Sequence, residues 1–292
     1  MIVEQVGQRV IVQTPAKLNL FLEVLGKRDD GYHEIESLVV PIDLFDVLTF
    51  EDDGLGCLSL ICDDPTLPTD LDNLVLRAAS RLRDLLGTKQ TARITLAKHI
   101  PAQAGLGGGS SDAAATLVGL CRLWNQSPGA SALERLAAEL GSDVPFFLQN
   151  SAAFCRGRGE RIEPIEHQST FYFVLVSPPI GVRTPDVYSR VTIPVTPSSA
   201  NLCLEGLIKS DTNLLGAGLF NRLQAVAEAL APDLLKVSGA LNSLNPSLDG
   251  HLMTGSGSTY FGLCRDKQAA LAATRHLETL GQGRVRVVKC GP

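Results

Sequence analysis

The sequence lacks most of what would mark a secreted, membrane-spanning or nucleic-acid-binding protein. No C-x-x-C pair occurs among its 7 cysteines, and the 5 histidines do not fall beside them at metal-ligand spacings. An odd cysteine count without such spacing points to reduced thiols that pack as small hydrophobes, not to a disulfide framework or a zinc site. No stretch approaches the roughly 20 apolar residues of a bilayer-spanning helix. The longest clean run, Phe171 to Val176, has the length of a buried strand. Positive charge is in deficit, with 26 Lys and Arg against 31 Asp and Glu. No overall basic field therefore draws the chain to nucleic acid or anionic lipid. The 27 Gly and 16 Pro show no Gly-X-Y period, and neither internal repeats nor low-complexity tracts occur. The first residues, Met1-Ile-Val-Glu-Gln-Val-Gly7, contain no apolar signal core and no Arg/Ser-rich transit composition. The expected setting is the cytoplasm of a bacterium, or a plastid stroma if a transit peptide has been removed.

What is present is an ordinary globular composition, 45% hydrophobic and 20% charged. At about 150 residues per domain, 292 residues suggest two domains. Ala16, Leu18, Leu20, Leu22 and Val24 alternate with Lys17, Asn19, Phe21 and Glu23, which predicts a half-buried strand with Lys17 and Asn19 on one face. A second extended stretch is expected from Tyr32 to about Phe50. Residues 72–87 read as a helix with a Leu74, Ala78, Leu82, Leu85 stripe and Gly87 just past its end. Further helices are expected over 112–124, 131–140, from Ser142 onward, 213–230 and 266–280. Strands are expected over 92–98, 171–176, 251–257, 258–264 and 284–290. Breakers at Pro178-Pro179 and Thr184-Pro185 put a domain boundary near residues 160–180. The order of elements is α+β.

The strongest local signal is a glycine-rich loop between the strand at 92–98 and the helix at 112–124. Gly105 and Gly107 to Gly109 place four glycines in five residues. Without Cβ atoms the backbone N–H groups can wrap an anion, and the helix that follows aims its free N–H groups and positive dipole end at the same point. Ser110, Ser111 and Asp112 can cap that helix, or the hydroxyls can reach phosphate oxygens. Three familiar nucleotide motifs are absent. Ser110 stands where a P-loop needs Lys and where the Rossmann pattern needs its third Gly. No H-R-D, D-F-G or A-P-E triplet occurs.

The residues Pro101-Ala-Gln-Ala-Gly-Leu-Gly-Gly-Gly-Ser-Ser-Asp-Ala-Ala114 resemble the second motif of the GHMP kinases. Thr14-Pro-Ala-Lys-Leu-Asn-Leu20 is similar to the first motif of that family and Met253-Thr-Gly-Ser-Gly-Ser-Thr259 to the third. Asp30-Gly-Tyr-His33 and Gly141-Ser-Asp-Val-Pro-Phe-Phe147 narrow the likeness to the branch whose acceptor is 4-diphosphocytidyl-2-C-methyl-D-erythritol, on the non-mevalonate route to isoprenoid precursors. The resemblance implies a two-lobed α+β fold, with an N-terminal ATP-binding lobe (1–165) like ribosomal protein S5 and a ferredoxin-like C-terminal lobe (166–292). ATP and the acceptor would meet in the cleft between the lobes. Mg²⁺ would be carried with the nucleotide, without a dedicated metal cage. The expected state is a monomer or weak homodimer with no membrane or nucleic-acid partner.

The resemblance also implies roles. Asp143 matches the catalytic aspartate, a proton acceptor for the attacking hydroxyl. Lys17 matches its partner cation, which would keep that carboxylate ionised. ATP would be held by Pro101, Ala102, Gln103, Ala104, Gly105, Leu106, Gly107, Gly108, Gly109, Ser110 and Ser111, with Lys98 and Asn73 toward the adenine. Asn19 would lie beside the substrate hydroxyls. Tyr32, His33, Thr184 and Tyr188 would hold the cytidine end, Tyr188 by stacking. Thr254 replaces a commoner Ser, and Asn221-Arg-Leu-Gln224 stands where Asn-Asp-Leu-Glu is usual, losing both acids. Residues 191–209 match no motif.

Overall fold

The computed structural model describes residues 1–54, 56–149 and 151–291. Its first half runs β1 (Ile2–Val6), β2 (Arg9–Lys27), β3 (His33–Glu51), β4 (Leu58–Cys62), α1 (Leu74–Leu86), β5 (Ala92–Ala97), α2 (Gly108–Leu123), α3 (Ala130–Leu140) and α4 (Val144–Gln149). Then come β6 (Ala152–Gly157), β7 (Arg161–Ile165), β8 (Phe171–Ser177), α5 (Thr184–Tyr188), α6 (Asn201–Lys209), α7 (Thr212–Ala217), β9 (Phe220–Asn221) and α8 (Gln224–Leu230). The chain ends with α9 (Leu234–Asn242), β10 (Gly250–Met253), β11 (Tyr260–Cys264), α10 (Lys267–Leu280) and β12 (Arg284–Cys290). The class is α+β, as the order of elements predicts. Among the described residues no helix is long and apolar enough to cross a membrane. All seven cysteines are free, and Cys155, Cys203, Cys264 and Cys290 are buried.

Two compact units are assembled from interleaved stretches. The first comprises Met1–Ala16, Leu44–Ile100 and Gly107–Asn150, the second Lys17–Asp43, Pro101–Leu106 and Ser151–Pro292. In the first unit, β1 pairs antiparallel with the start of β2, the end of β3 pairs antiparallel with β5, and β4 pairs parallel with β5. Helix α1 packs against α2 and α3, and α4 against α2. Asn73 caps α1 by accepting from Val75 N, and Gly87 closes it in the left-handed region, as its position just past the last apolar residue predicts. The expected Leu74–Leu85 stripe is rotated. Val75, Leu76, Ala78, Ala79 and Leu82 are the buried residues, whereas Leu85 is 45% exposed. Packing against two helices instead of one surface widens and turns the apolar face.

In the second unit, β6 pairs antiparallel with the start of β3 and with β7, while β9 pairs parallel with β2. A separate antiparallel sheet has the order β10-β11-β8-β12. Its central strand β8 is the apolar run singled out in the sequence, and Phe173, Val174, Leu175 and Val176 are all buried. The single helix expected over 213–230 is instead α7, a short β9 and α8. Two glycines explain the break by close approach. A Cβ on Gly216 would lie 1.9 Å from Asp249 O, and one on Gly218 would lie 2.2 Å from Cys203 N. The stretch without a motif forms α6, whose Cys203 and Leu207 are buried.

These glycines give a test. Gly218→Ala forces a methyl into the backbone of α6 and should destabilise the protein by about 1–3 kcal/mol, the usual size of overpacking. Gly239 lies exposed in α9 with nothing within 4 Å of its missing Cβ. Gly239→Ala should therefore be neutral or stabilising by up to about 1 kcal/mol. Denaturant midpoints measure both, and equal effects would contradict the packing assignment.

Candidate active site

In the second unit the three motifs meet through backbone. Gly105 has φ +76°, and a Cβ there would lie 2.2 Å from Thr254 O and 3.0 Å from Gly257 O. Only a residue without a side chain allows the loop to lie on the third motif in this way. Thr259 N donates to Ala104 O at 3.1 Å, and Lys17 N donates to Leu106 O at 3.0 Å. The loop's leading half, Pro101 to Leu106, is thus fastened to the third motif on one side and the first on the other. Pro101 is half-buried, while Ala102 and Gln103 are exposed.

Lys17 and Asn19 share a face of β2, as their spacing of two predicts, and both are buried. Lys17 Nζ donates to Asn19 Oδ1. Asn19 Nδ2 donates to Ser37 Oγ at 2.8 Å, and Asn19 N donates to Thr254 Oγ1 at 3.0 Å. Ser37 in turn donates to Phe21 O. Thr254 thus supplies from the third motif the hydroxyl that its commoner Ser would supply. Gly255 has φ +57°, and its missing Cβ would lie 3.2 Å from Lys17 Nζ. The ammonium therefore rests over a position that any side chain would crowd.

The residues expected at the cytidine end gather in the same unit. The His33 and Tyr188 rings lie 5.3 Å apart between centroids, tilted by 35°. Burial, with a smaller contribution from Lys27, lowers the His33 pKa, so the ring is neutral at pH 7 and presents one donor and one acceptor. Tyr32 is half-exposed, and the Arg158 guanidinium lies 4.8 Å from its ring centroid. Thr184 Oγ1 and Ser256 Oγ are 2.7 Å apart, which ties the segment carrying Tyr188 to the third motif. Ser37 and Arg158 went unnoticed in the sequence. Neither lies in a motif, and only tertiary pairing brings them to the site.

The first unit holds the loop's second half. Gly107, in the left-handed region at φ 72°, is the N-cap of α2, so the helix begins at Gly108 and not at Asp112 as expected. Among the described residues no side chain caps it, so the first-turn N–H groups stand uncapped at the positive end of a 16-residue helix. Gly108 is buried and Gly109 exposed. Ser111 does not cap the helix: its hydroxyl donates to Pro15 O at 2.6 Å and meets Thr14 Oγ1 at 2.6 Å. Ser110 is half-buried, and Gly141's missing Cβ would lie 3.8 Å from its hydroxyl oxygen. The turn between α3 and α4 that carries half-buried Asp143 therefore runs beside the start of α2. Asn73 spends its side chain on Val75 N and Pro68 O.

Lys98, expected toward the adenine, is buried beside two carboxylates. Its side chain is 7% exposed and donates to Asp112 Oδ2 at 2.8 Å and to Asp46 Oδ2. Asp46 also accepts from His99 N and Ile100 N, so its carboxylate is fully engaged. Burial alone would lower the Lys98 pKa, but the carboxylates of Asp112 and Asp46 outweigh it and raise the value. Asp112 Oδ1 is buried without a hydrogen-bond partner. Burial, reinforced by Asp46 and opposed by Lys98, pushes the Asp112 carboxyl up to about 7. A proton there turns it into a donor toward Asp46. Nothing in the sequence around Asp46 marks it for this role.

The sign of the linkage follows. A carboxyl ordinarily near 3.8 that titrates near 7 in the folded protein holds a proton that the unfolded chain has already released. Its stabilising contribution is complete below about pH 4 and is lost as pH rises through about 7. Asp112→Asn, which keeps the shape and the donor, should remove this dependence. Thermal midpoints of the two proteins should therefore diverge between about pH 4 and 7 in favour of the variant. Parallel midpoints would mean that Asp112 is ionised in the folded state.

The model of the GHMP kinases N terminal domain matches residues 73–151 and that of the GHMP kinases C terminal domain matches residues 203–282. A 4-diphosphocytidyl-2-C-methyl-D-erythritol kinase of Pelotomaculum thermopropionicum is 42% identical over 257 residues, covering 87% of this chain and 89% of that protein. The protein of the same name from Brevibacillus brevis is 38% identical, with 87% of each chain covered. A crystal structure of 4-(cytidine 5'-diphospho)-2C-methyl-D-erythritol kinase superposes with a TM-score of 0.80 at 36% identity, over 97% of this chain and 99% of that one. The chain belongs to the GHMP kinase family of ATP-using small-molecule kinases.

Proposed function

We propose that this protein transfers the γ-phosphoryl group of ATP to the C2 hydroxyl of 4-diphosphocytidyl-2-C-methyl-D-erythritol. The observation that carries the acceptor is the His33–Tyr188 ring pair, joined through Thr184 and Ser256 to the same third motif that flanks Lys17. A neutral imidazole and a tyrosine ring suit a planar base with polar edges, by stacking and by hydrogen bonding. Acceptors such as homoserine or mevalonate carry no base to occupy such a pair. Relatives matched over most of their length carry the name of this kinase.

On this reading Asp143 accepts the proton of the attacking hydroxyl, and Lys17 is the partner cation of the transfer. Asn19 orients the hydroxyls of the acceptor. The loop from Pro101 to Ser111 cradles the phosphates, with the uncapped N–H groups at the start of α2 facing the transferring charge. Lys98 acts on the nucleotide through the shape and charge of the α2 terminus, where its ammonium lies 3.2 Å from the missing Cβ of Gly108. Mg²⁺, carried with the nucleotide, would supply positive charge against the phosphates. Among the described residues no group of three or more His, Cys, Asp or Glu could hold a metal ion, and the half-buried Ser110 hydroxyl at the start of α2 would be its side-chain ligand.

ADP release against the diphosphocytidyl acceptor, homoserine, mevalonate and galactose tests the reading. Turnover should appear with the first alone. Release with another acceptor would reassign the branch, and none with any would leave a nucleotide-binding module without chemistry.

Two variants divide the site. Asp143→Asn should lower kcat by about 10²- to 10⁴-fold with little change in either KM, the usual worth of positioned acid–base catalysis. A folded variant with near-normal kcat would remove the base assignment and leave the kinase reading intact. Tyr188→Ala should raise KM for the cytidyl acceptor by roughly tenfold or more while leaving that for ATP unchanged, given about 1–3 kcal/mol per stacked base. An unchanged acceptor KM would misplace the base pocket.

A further inference from the structure

The segment Asn221–Gln224, where two usual acids are missing, has a use that the phosphoryl-transfer reading leaves unassigned. Asn221 is 7% exposed and spends its whole amide. Its Nδ2 donates to Met253 O at 2.7 Å and to Gly255 O at 2.8 Å, and its Oδ1 accepts from Leu223 N at 2.9 Å. Gln224 Oε1 accepts from Met253 N at 3.0 Å. The backbone of the third motif is therefore gripped at three points by two amides from one short segment. That segment is itself pinned to β2. Phe220 and Asn221 pair parallel with Phe21 and Leu22, Arg222 N donates to Leu22 O at 2.9 Å, and the Arg222 guanidinium makes two bonds to Glu23, at 2.7 and 2.6 Å.

The missing acids have a physical reason. Glu23 is fully buried and also accepts from Ser198 N and Val24 N. Burial would raise its pKa, but the bonds from Arg222, Ser198 and Val24 prevail and lower it. An acid at 222 would set a second carboxylate against it, whereas Arg completes a bidentate pair. Gln224 Nε2 donates to Glu228 Oε1 at 3.0 Å, which already accepts from Tyr260 Oη. An acid at 224 would keep the bond from Met253 N and lose the one to Glu228.

We propose that Asn221 is a positioning residue for Lys17. Asn19 Oδ1, to which the Lys17 ammonium donates, and the bare Cα of Gly255 both lie beside it. Both depend on residues 253–255, because Asn19 N donates to Thr254 Oγ1 and because Asn221 holds the carbonyls on either side of Thr254. A shift of this turn therefore moves the floor beneath the ammonium and the hydroxyl that orients Asn19. Asn221 touches neither substrate nor Lys17; it acts through the turn. The proposal rests on Lys17 taking part in phosphoryl transfer.

The experiment is a double-mutant cycle at saturating ATP and acceptor, with the folded fraction fixed by circular dichroism. Lys17→Met alone, Asn221→Ala alone and the pair together are compared, with Asn221→Ser as a milder variant that retains one short hydroxyl donor. The positioning role predicts a fall in kcat of about tenfold or more for Asn221→Ala and a smaller fall for Asn221→Ser. Neither KM should move by more than about threefold, and Asn221→Ala should cause no further loss once Lys17 is Met. A purely structural role would give equal fractional losses with and without Lys17, and that result overturns the proposal. So does an unchanged kcat in folded Asn221→Ser. If Lys17→Met itself leaves kcat intact, the role of Lys17 fails, and the positioning role falls with it.

Discussion

The structure of the second unit depends on one close backbone contact, that of Gly105 with Thr254 and Gly257. A missing side chain at Gly105 lets the loop lie against the carbonyls of the third motif, and a second missing side chain at Gly255 makes room for Lys17 Nζ. Both glycines have positive φ, so both the space and the backbone conformation exclude other residues. The three motifs, far apart in the chain, thereby meet through main-chain atoms whose positions are set by the fold. This is the preorganisation that phosphoryl transfer requires, since its catalysis is largely positioning and electrostatics.

Charge burial supports this frame in each unit. In the first, one ammonium serves two carboxylates, Asp46 and Asp112, directly beneath the start of α2. Asp46 also accepts from two backbone N–H groups, and burial pushes the Asp112 carboxyl up to about 7. In the second, Glu23 meets one guanidinium and two backbone donors. Pairs like these add little net stability over apolar packing, but removing one partner leaves a buried charge that is costly. They fix register more than they add energy, and each pins a segment next to a motif.

Much of this was legible in the sequence because it is local. The extended stretch around Lys17 and Asn19, the glycines of the loop and the apolar run at Phe171 each report their own conformation, although β2 is buried there on both faces and not on one as the alternation predicts. The family likeness added roles to Asp143, His33 and Tyr188 that no local pattern could supply. What stayed hidden is long-range. Asp46 becomes a partner of Lys98 only when β3 and β5 pair, and Ser37 reaches Asn19 only across neighbouring strands. The family likeness sets Lys98 and Asn73 toward the adenine; in the structure one is buried between two acids and the other caps a helix. The helix expected over 213–230 is interrupted because Gly216 and Gly218 abut backbone from 249 and 203, contacts that no helical period encodes. The same break creates β9 and places Asn221 on the third motif.

The central claim is the transfer of one phosphoryl group to one particular hydroxyl. Phosphorus-31 and carbon-13 spectra of the product formed from ATP and the diphosphocytidyl acceptor test it most directly. The account predicts one new phosphomonoester resonance, phosphorus coupling at the quaternary C2 carbon, and an intact diphosphate bridge. A monoester on any other carbon, or a spectrum in which the acceptor is unchanged while ATP is consumed, would contradict it.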